Sequence, residues 1–282
     1  MDMLELILFR VGHGLSLALI EHPANYVTLV DLGADSGFTP LKYLALIRRL
    51  RPDVLYVTHP HADHLADVET ALQEHFRPDA IYYHDYDWRD VAAREKPECR
   101  WLVTQFQKLI ATIPMRRYNG AAELNEWYYP VDIARKHFGD AAYVNASSLF
   151  LIYTWKDFKI SIASDQESSV AEGYLKTEGF LKEASGTNIL IAPHHGHKNG
   201  FPCSWPSIIG KPAITLISVQ ERDPHVHTGY SSAAFASGVP IDGKTRYSLT
   251  TRQDGNLFVR MWYENSKPVW SFEQSLSLGA AR

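Results

Sequence analysis

One hexapeptide constrains this chain more than any other feature of its sequence. The segment from His59 to His64 reads His-Pro-His-Ala-Asp-His, and it follows directly on the apolar run Val54–Val57. A short, continuously apolar run predicts a strand buried within a sheet, so the polar side chains should stand at a strand end. Imidazole nitrogens and carboxylate oxygens are ligands of zinc-like divalent ions. A surface loop that is merely polar is the less favoured interpretation of this spacing.

The spacing also predicts how these ligands divide between ions. Side chains at positions i and i+2 of an extended loop project to the same side, so His59 and His61 should converge on one ion. The loop then turns into a helix, which lets Asp63 and His64 face a second ion. The sequence therefore predicts one or two divalent metal ions, zinc or manganese.

The pattern of apolar residues predicts the fold class. Helical spacing at Leu41–Leu50 and Leu65–Glu74 lies among short strands, and no repeat or linker indicates a second domain. We interpret residues 1–282 as a single α/β domain, an αββα sandwich of two mixed β-sheets flanked by helices. The predicted strands are Leu4–Phe9, Ser16–Glu21, Tyr26–Asp31, Val54–Val57, Ser148–Thr154, Phe158–Ala163, Ile189–Ala192, Ala213–Val219, Arg246–Thr250, Leu257–Met261 and Val269–Phe272.

The segment at about 84–140 is less regular and rich in aromatic and charged residues. We expect it to be a largely helical insertion that faces the substrate. Arg116 and Arg117 stand near Trp127 and Tyr128, a composition suited to phosphate contacts and base stacking. A solvated amphipathic cover would explain that composition equally well.

Several motifs together resemble a known family. His59–His64 resembles the H-x-H-x-D-H signature of metallo-β-lactamase-fold hydrolases. Asp31 in Leu-Val-Asp-Leu-Gly resembles the acidic residue that supports the metal loop, and Asp165 in Ala-Ser-Asp resembles the aspartate that bridges two ions. The resemblance implies the fold given above and a metal-dependent hydrolase. From the residues alone, Asp165 could instead cap a helix beginning near Glu167.

A narrower resemblance is to the hydrolase domain of the DNA-uptake protein ComEC and its free-standing relatives. Val144–Leu149 resembles their Asn-containing entry to a strand, although Asn145 occupies the region where many family members place a ligand histidine. Pro193–Gly196 resembles their PHHGS motif, with His197 where serine is usual. Val11–Leu15 resembles VGQGD with two departures, and these weaken the transfer of substrate more than that of fold.

Four further histidines are candidates for the site. His194 and His195 follow an apolar strand, and adjacent side chains there should point in different directions. We assign His195 as a metal ligand and His194 as catalytic, while the reverse assignment stays open. His225 and His227 resemble the final His-Pro region of the relatives, and either is an additional ligand or a proton donor, unless their loop is simply exposed.

The predicted reaction is hydrolysis of a phosphodiester by a metal-activated hydroxide, with Asp63, Asp165 and His194 as catalytic residues. Asp63 keeps a hard oxygen ligand in the site, and Lys198 lies just past the paired histidines, where it could meet a phosphate. DNA or another phosphodiester is the expected substrate, contacted by Lys198, Arg116 and Arg117. The alternatives are a hydrolase of a small ester, thioester or lactone, and a metal-binding subunit active only with a partner protein.

Composition limits these interpretations. The formal net charge of −4 gives no global attraction to nucleic acid, so a nucleic-acid substrate needs a local basic patch. The 2 cysteines are too few for a disulfide framework, which favours a reducing compartment. The N-terminus lacks a basic segment before its short apolar run, and no stretch approaches the roughly 20 apolar residues of a membrane span. We therefore expect a soluble cytoplasmic protein with no membrane association.

Overall fold

The computed structural model describes residues 1–275 and divides into two compact units. Unit 1 comprises Met1–Gly120 and Phe258–Ser271, and unit 2 comprises Ala121–Leu257 and the chain from Phe272 onward. Residues 276–282 lie outside the described residues. The interpretation of residues 1–282 as one domain stays a prediction. The strands are β1 Met3–Leu8, β2 Leu17–His22, β3 Tyr26–Val30, β4 Val54–Tyr56, β5 Ile81–Tyr82, β6 Glu123–Trp127, β7 Phe150–Trp155, β8 Phe158–Ile162, β9 Ile189–Ile191, β10 Ile214–Ile217, β11 Val239–Ile241, β12 Lys244–Arg246, β13 Ser248–Thr250, β14 Asn256–Glu264 and β15 Lys267–Ser275.

In the described residues, the sheet of unit 1 is mixed, with the strand order β15-β14-β1-β2-β3-β4-β5. β1, β2 and β3 pair antiparallel, whereas β3, β4 and β5 run parallel. Parallel neighbours end at the same edge of a sheet. The residues that follow β3, β4 and β5 therefore leave from one edge, and this places Asp31 near the segment that begins at Thr58.

The helices of unit 1 cover an apolar core. The predicted helix at Leu41–Leu50 begins as a single α-helical turn, capped by the Thr39 side chain and with Pro40 in its first turn. It then continues as a π-helix, Tyr43–Arg48, and ends at Arg49 in a left-handed conformation. The longest helix buries Leu102, Phe106 and Leu109 on one face at helical spacing. The α-helices are α1 Pro40–Lys42, α2 Val68–Leu72, α3 Trp88–Arg94 and α4 Arg100–Ile110.

The larger sheet of unit 2 has the strand order β13-β10-β9-β8-β7-β6 in the described part of the chain, and β11 pairs with β12 in a small hairpin. β8, β9, β10 and β13 are parallel neighbours. Asp165, the Pro193–Gly196 motif and the turn after Thr250 therefore leave from the same edge. Ligand sites of open α/β sheets form at such carboxyl edges.

The segment 84–140 contains three helices and one strand. That strand, β6, differs from the helical expectation because it pairs antiparallel with β7, so a distant stretch of chain supplies its hydrogen bonds. Trp127, at its end, packs edge-on against Phe180 at 5.4 Å, and its Nε1 donates to Glu183 at 2.6 Å. The α-helices of unit 2 are α5 Val131–Phe138, α6 Tyr143–Ala146, α7 Ser168–Tyr174, α8 Glu178–Ala184, α9 Trp205–Ile208 and α10 Thr251–Asp254.

Within residues 1–275, no helix combines the length and the apolar composition that a membrane span requires.

Candidate metal centre

The histidine loop of unit 1 is held by backbone contacts on both sides. Ala62–His64 forms a 3₁₀ turn in which the His64 amide donates to the His61 carbonyl at 3.0 Å. The Ala62 amide donates to Oε1 of Glu95 at 3.1 Å, so α3 and its following residues anchor the loop. On the other side, a Cβ at Gly14 would lie 2.3 Å from the Asp63 carbonyl oxygen. Any side chain would clash there, so the close approach requires glycine. The positive φ of Gly14, 124°, is a second reason for glycine at this position.

Buried hydrogen bonds to Asp31 orient two of the predicted ligands. Asp31 accepts from the Thr58 amide and hydroxyl, both at 2.7 Å, and its Oδ2 lies 2.7 Å from Nδ1 of His64. Because the Thr58 hydroxyl donates to Asp31, it accepts from Nδ1 of His59 at 3.2 Å. Both histidines therefore carry their proton on Nδ1, which leaves the Nε2 lone pair as the ligand atom. A carboxylate behind a ligating imidazole is the usual support of a metal site.

The ring nitrogens fit one ion. Nε2 of His59 lies 3.1 Å from Nδ1 of His61. Two nitrogens bound to one tetrahedral zinc would be about 3.3 to 3.4 Å apart. Nε2 of His64 lies 3.9 Å from Oδ2 of Asp63, a wider pair. The chemistry and spacing of the donors in unit 1 thus suit a zinc-like ion.

Asp31 is itself unusual. Its φ of 61° lies in the left-handed region, and its side chain is fully buried. Burial raises the pKa of the Asp31 carboxyl, while His64 and Thr58 act in the opposite direction. A carboxyl buried in a strained turn is the kind of feature found at functional sites.

In unit 2, Asp165 and His195 form a pair at the carboxyl edge of the sheet. Asp165 follows β8, His194 and His195 follow β9, and β8 and β9 are parallel neighbours. Oδ1 of Asp165 lies 3.3 Å from Nε2 of His195, and both side chains are buried. Oxygen and nitrogen ligands of one tetrahedral ion would be about 3.3 to 3.5 Å apart. The pair therefore fits a shared ion.

Asp165 does not cap the next helix. Helix α7 begins at Ser168, its N-cap is Glu167, and that side chain makes no capping hydrogen bond. Asp165 therefore lies two residues before the N-cap position, outside the place that a capping residue occupies.

The histidine pair of unit 2 sits on a strained turn. His194, His195 and Gly196 have φ values of 49°, 53° and 77°, three successive left-handed residues. A Cβ at Gly196 would lie 2.7 Å from Cγ2 of Ile217, so glycine is needed there. Nδ1 of His194 is buried and makes no hydrogen bond within the described residues. Strain of this kind persists where surrounding contacts hold it, here including the 2.7 Å bond from the His194 amide to the Ser164 carbonyl.

The later histidines adjoin this turn. His197 forms an isolated bridge with Val226, and its ring lies 5.4 Å from that of His194 and 5.2 Å from that of His225. Burial and these two neighbouring histidines lower the pKa of His197. Nδ1 of His227 accepts from the Gly229 amide at 3.1 Å, so a neutral His227 carries its proton on Nε2. This favours the proton-donor alternative for His227 over the ligand alternative.

The predicted substrate contacts are exposed. Arg116 and Arg117 lie beside β5, where the Arg116 amide donates to the Ile81 carbonyl. Arg117 donates to the Tyr82 hydroxyl at 2.9 Å, and its guanidinium lies 5.2 Å from the centre of that ring. Lys198 lies in unit 2, and its amide donates to the His225 carbonyl at 3.1 Å. These positions leave the phosphate-contact role a prediction.

Two residues enter the site region that the sequence did not single out. Glu95 anchors the histidine loop through the Ala62 amide, and no local pattern marks a residue 33 positions away. His84 follows β5, at the same edge as Asp31 and Thr58, and is buried. Burial, with a smaller effect of Arg117, lowers its pKa to about 4. The apolar strand β5 before His84 was the signal that could have marked this residue, because the buried strands β3 and β4 are also followed by site residues.

Asn145 also lies in unit 2, in α6. Its Oδ1 is buried and makes no hydrogen bond within the described residues.

Comparison with known proteins supports the fold. Residues 16–98 match the family described as the Metallo-beta-lactamase superfamily, a segment that contains the histidine loop. No curated protein matches the chain. Solved structures similar to this chain include a protein of Parabacteroides distasonis assigned as a metal-dependent hydrolase, with 16% identity, 76% of this chain and 81% of that chain covered, and a TM-score of 0.42.

Two other similar structures have equally low identity. One, from Thermotoga maritima and assigned as a metallo-β-lactamase, has 14% identity, covers 69% of this chain and 97% of its own, and has a TM-score of 0.45. The other is CmlA, a diiron β-hydroxylase of Streptomyces venezuelae, with 16% identity, 75% and 38% coverage, and a TM-score of 0.43. At such scores these likenesses assign no activity. Residues 16–98 of the chain are similar to the metallo-β-lactamase superfamily, and the fold class of the chain is the α/β metallo-β-lactamase fold predicted from its sequence.

Proposed function

We propose that this chain is a metal-dependent hydrolase of phosphodiester bonds and that a nucleic acid is its substrate. The observation that carries the proposal is the Asp31–Thr58–His64 hydrogen-bond set, which orients His59 and His64 as nitrogen ligands. Hydrogen bonds of this kind add affinity for a metal and would have little purpose in a polar surface loop. The family segment at residues 16–98 spans the same loop.

Each unit supplies its own candidate ligands. In unit 1, His59 and His61 would hold one ion and Asp63 and His64 a second, and in unit 2 Asp165 and His195 are the candidate ligands. The support is the resemblance of these motifs to a metal-ligand set, together with the fit of the His59–His61 pair and of the Asp165–His195 pair to a single ion. Zinc and manganese both suit a set of imidazoles and carboxylates.

Bound ions would supply a nucleophile from water near neutral pH and charge stabilisation for the phosphate oxygens. The residues of the chain do the remaining work. Asp31 and Thr58 fix the tautomers of His59 and His64, so the ligand nitrogens need no rearrangement. His194 is the candidate proton donor to the leaving oxygen, and Nε2 of His227 is held as a hydrogen-bond donor by the bond at its Nδ1.

The choice of a phosphodiester is supported by exposed cationic side chains near the motifs. Lys198 is exposed three residues after His195, and Arg116 and Arg117 are exposed beside β5. These side chains compensate locally for the negative net charge of the chain. A hydrolase of a small ester, thioester or lactone would not need them.

A substrate panel tests this function. Protein purified without chelator and reloaded with zinc or manganese is incubated with single-stranded DNA, double-stranded DNA, a chromogenic phosphodiester, a chromogenic ester, a thioester and a lactone. We expect cleavage of the phosphodiesters, abolished by chelation and restored by metal. Cleavage of the ester, thioester or lactone alone would overturn the phosphodiester assignment. Full metal loading without any turnover would favour a subunit that works only with a partner protein.

A further inference from the structure

A cavity of unit 2 is lined by residues of β10, β12, β13 and α10 and by the segment 226–231. Its volume is about 330 Å³, at the lower end of the range of small-molecule sites. The residues around it include Arg246, Arg252 and His227, and its lining within the described residues contains no aspartate or glutamate. A pocket lined by two guanidinium groups and no acid favours an anion.

Arg252 is the more available of the two arginines. It lies in α10 after β13, and one of its terminal nitrogens donates to the Asp223 carbonyl at 2.7 Å. That bond fixes the position of the guanidinium without neutralising its charge. The remaining N–H groups keep their capacity to donate, because a guanidinium has five. Arg252 is therefore a positioned cation at the wall of the cavity.

Arg246 is held by an ion pair. Its Nη2 lies 3.2 Å and 3.4 Å from the two carboxylate oxygens of Asp254, which is buried and also accepts from the Thr250 amide at 2.8 Å. The carboxylate orients Arg246 from behind, on the side occupied by α10. Its positive charge is partly balanced, but its other N–H groups still donate.

Neutral donors complete the lining. Nε2 of His227 carries its proton because Nδ1 accepts from the Gly229 amide, and the ring is fixed by stacking on Phe201 at 3.9 Å. The hydroxyls of Ser231 and Ser248 lie 2.8 Å apart, so one hydroxyl hydrogen of this pair is left to donate into the cavity. Donors from three stretches of chain, at His227–Ser231, Arg246–Ser248 and Arg252, surround one space, which suits a tetrahedral oxyanion better than a planar carboxylate.

The cavity adjoins the candidate metal ligand of unit 2. The His227 amide donates to the Gly196 carbonyl at 2.9 Å, and Gly196 directly follows His195. Ile217, which ends β10, contacts Gly196 and also lines the cavity. An anion held there would therefore contact His227, whose backbone is bonded to the residue that follows the proposed ligand His195.

We propose that this cavity binds a phosphate group of the substrate other than the one that is cleaved. The inference rests on the proposed function and deepens it. It selects substrates with at least two phosphates, such as an oligonucleotide or a dinucleotide with a terminal phosphate. A diester with a single phosphate would leave the cavity without its anion and should be the poorer substrate.

Binding is tested with inorganic phosphate and the metal-loaded protein. Calorimetric titration compares the wild type with Arg252→Gln and with Arg222→Gln, a matched change at an exposed arginine that does not line the cavity. We expect Arg252→Gln to weaken one class of phosphate site by about tenfold, and Arg222→Gln to match the wild type. Phosphate on the ions contributes equally to all three proteins and cancels in the comparison.

Two results of the titration would overturn the inference. One is equal phosphate binding by Arg252→Gln and the wild type, and the other is acetate binding to the same site as tightly as phosphate. Unfolding temperatures check that the variants fold. If Arg252→Gln does not fold, Arg252→Lys keeps the charge but loses the fork of donors, and it should weaken phosphate binding by a smaller factor.

Cleavage separates this inference from the proposed function. We measure kcat/KM for a dinucleotide that carries a terminal phosphate at either end and for the same dinucleotide without it. The ratio of the two values gives the contribution of the second phosphate. We expect a ratio of about ten or more in the wild type and in Arg222→Gln, and a ratio near one in Arg252→Gln. A ratio of one in the wild type would refute the binding of a second substrate phosphate in the cavity, but it would not contradict the proposed hydrolase function. If phosphate binding depends on Arg252 but no diester is cleaved, the cavity is still an anion site and the proposed hydrolase function is wrong.

Discussion

Oδ2 of Asp31 lies 2.7 Å from Nδ1 of His64, and both side chains are completely buried. The same carboxylate accepts from the Thr58 hydroxyl, which in turn lies 3.2 Å from Nδ1 of His59. One acidic residue thereby fixes the tautomers of two histidines. The predictions that follow depend on this arrangement, on its counterpart in unit 2, and on the exposed cations.

Replacing Asp31 should weaken metal binding without removing a ligand. In Asp31→Asn, the amide cannot reproduce the charged acceptor for His64 and Thr58, and we expect metal affinity to fall by about 10- to 100-fold. Competition with a chromogenic chelator measures the affinity. Asp53→Asn is the matched control, since Asp53 accepts from the Val27 amide at 2.7 Å on the same sheet. Equal affinities for the two variants would contradict the role of Asp31.

The double variant His59→Ala/His61→Ala should lose metal. Their ring nitrogens are 3.1 Å apart and supply two ligands, so we expect elemental analysis after reloading with zinc or manganese to show at least one ion fewer per chain. His75→Ala removes an exposed histidine of the same unit and should leave the stoichiometry unchanged. Unchanged metal content in the double variant would refute the assignment of the loop.

Asp165→Asn should abolish hydrolysis while the chain stays folded. The amide is nearly isosteric but lacks the negative charge that offsets two cations. Since Asp165 does not cap α7, the change should not destabilise that helix. Turnover of a chromogenic phosphodiester and the unfolding temperature of the metal-free protein give the two readouts. Turnover close to that of the wild type would rule out a bridging role.

Neutralising Arg116, Arg117 and Lys198 together should weaken DNA binding and its dependence on salt. Each lost phosphate contact lowers the slope of log affinity against log salt by roughly 0.9 on duplex DNA, or about 0.7 on a single strand. A titration series in salt measures the slope.

The control for that series is a second triple variant that neutralises Lys108, Lys136 and Lys182, which are exposed on helices α4, α5 and α8. It makes the same change in net charge and should keep the slope of the parent. If both triple variants behave alike, the loss reflects total charge and the phosphate-contact role is wrong. The stacking role expected of Trp127 has less support, because that ring packs against Phe180.

His84 should contribute a loss of stability in mild acid. Burial lowers the pKa of His84 to about 4, whereas an unfolded chain binds the proton near 6.5. Below pH 6.5 the His84 position therefore binds more protons in the unfolded state, and its contribution to the free energy of unfolding decreases as the pH falls toward 4. The loss from this one residue reaches about 3 kcal/mol.

Urea unfolding of chelator-treated protein at several pH values between 7.5 and 4.5 measures this loss, since chelation removes the contribution of metal release. The free energy of unfolding of His84→Gln should rise relative to that of the wild type as the pH falls, whereas that of His75→Gln, changed at an exposed histidine, should keep a constant difference. The carboxyl of Asp67, whose pKa burial raises to about 7, acts in the opposite direction in every variant and cancels. An unchanged pH profile in His84→Gln would contradict the role given to His84.

The sequence by itself determined the strands that precede the candidate ligands and the residues at the ends of those strands. Val54–Tyr56 is a strand with His59 just beyond it, and Ile189–Ile191 is a strand followed by His194 and His195. These features depend on local patterns, because apolar runs mark buried strands and a polar cluster after one marks an edge. The segment 84–140 was less predictable, since β6 exists only through its pairing with β7.

Only the tertiary structure decided which of those ends meet. The parallel pairing of β3 with β4 brings Asp31 to Thr58 and His64, and the pairing of β8 with β9 brings Asp165 to His195. The tautomers and the arginine-lined cavity depend on contacts between residues distant in the chain. Local periodicity carries no information about such contacts, because strand order and register are set by packing across the whole sheet.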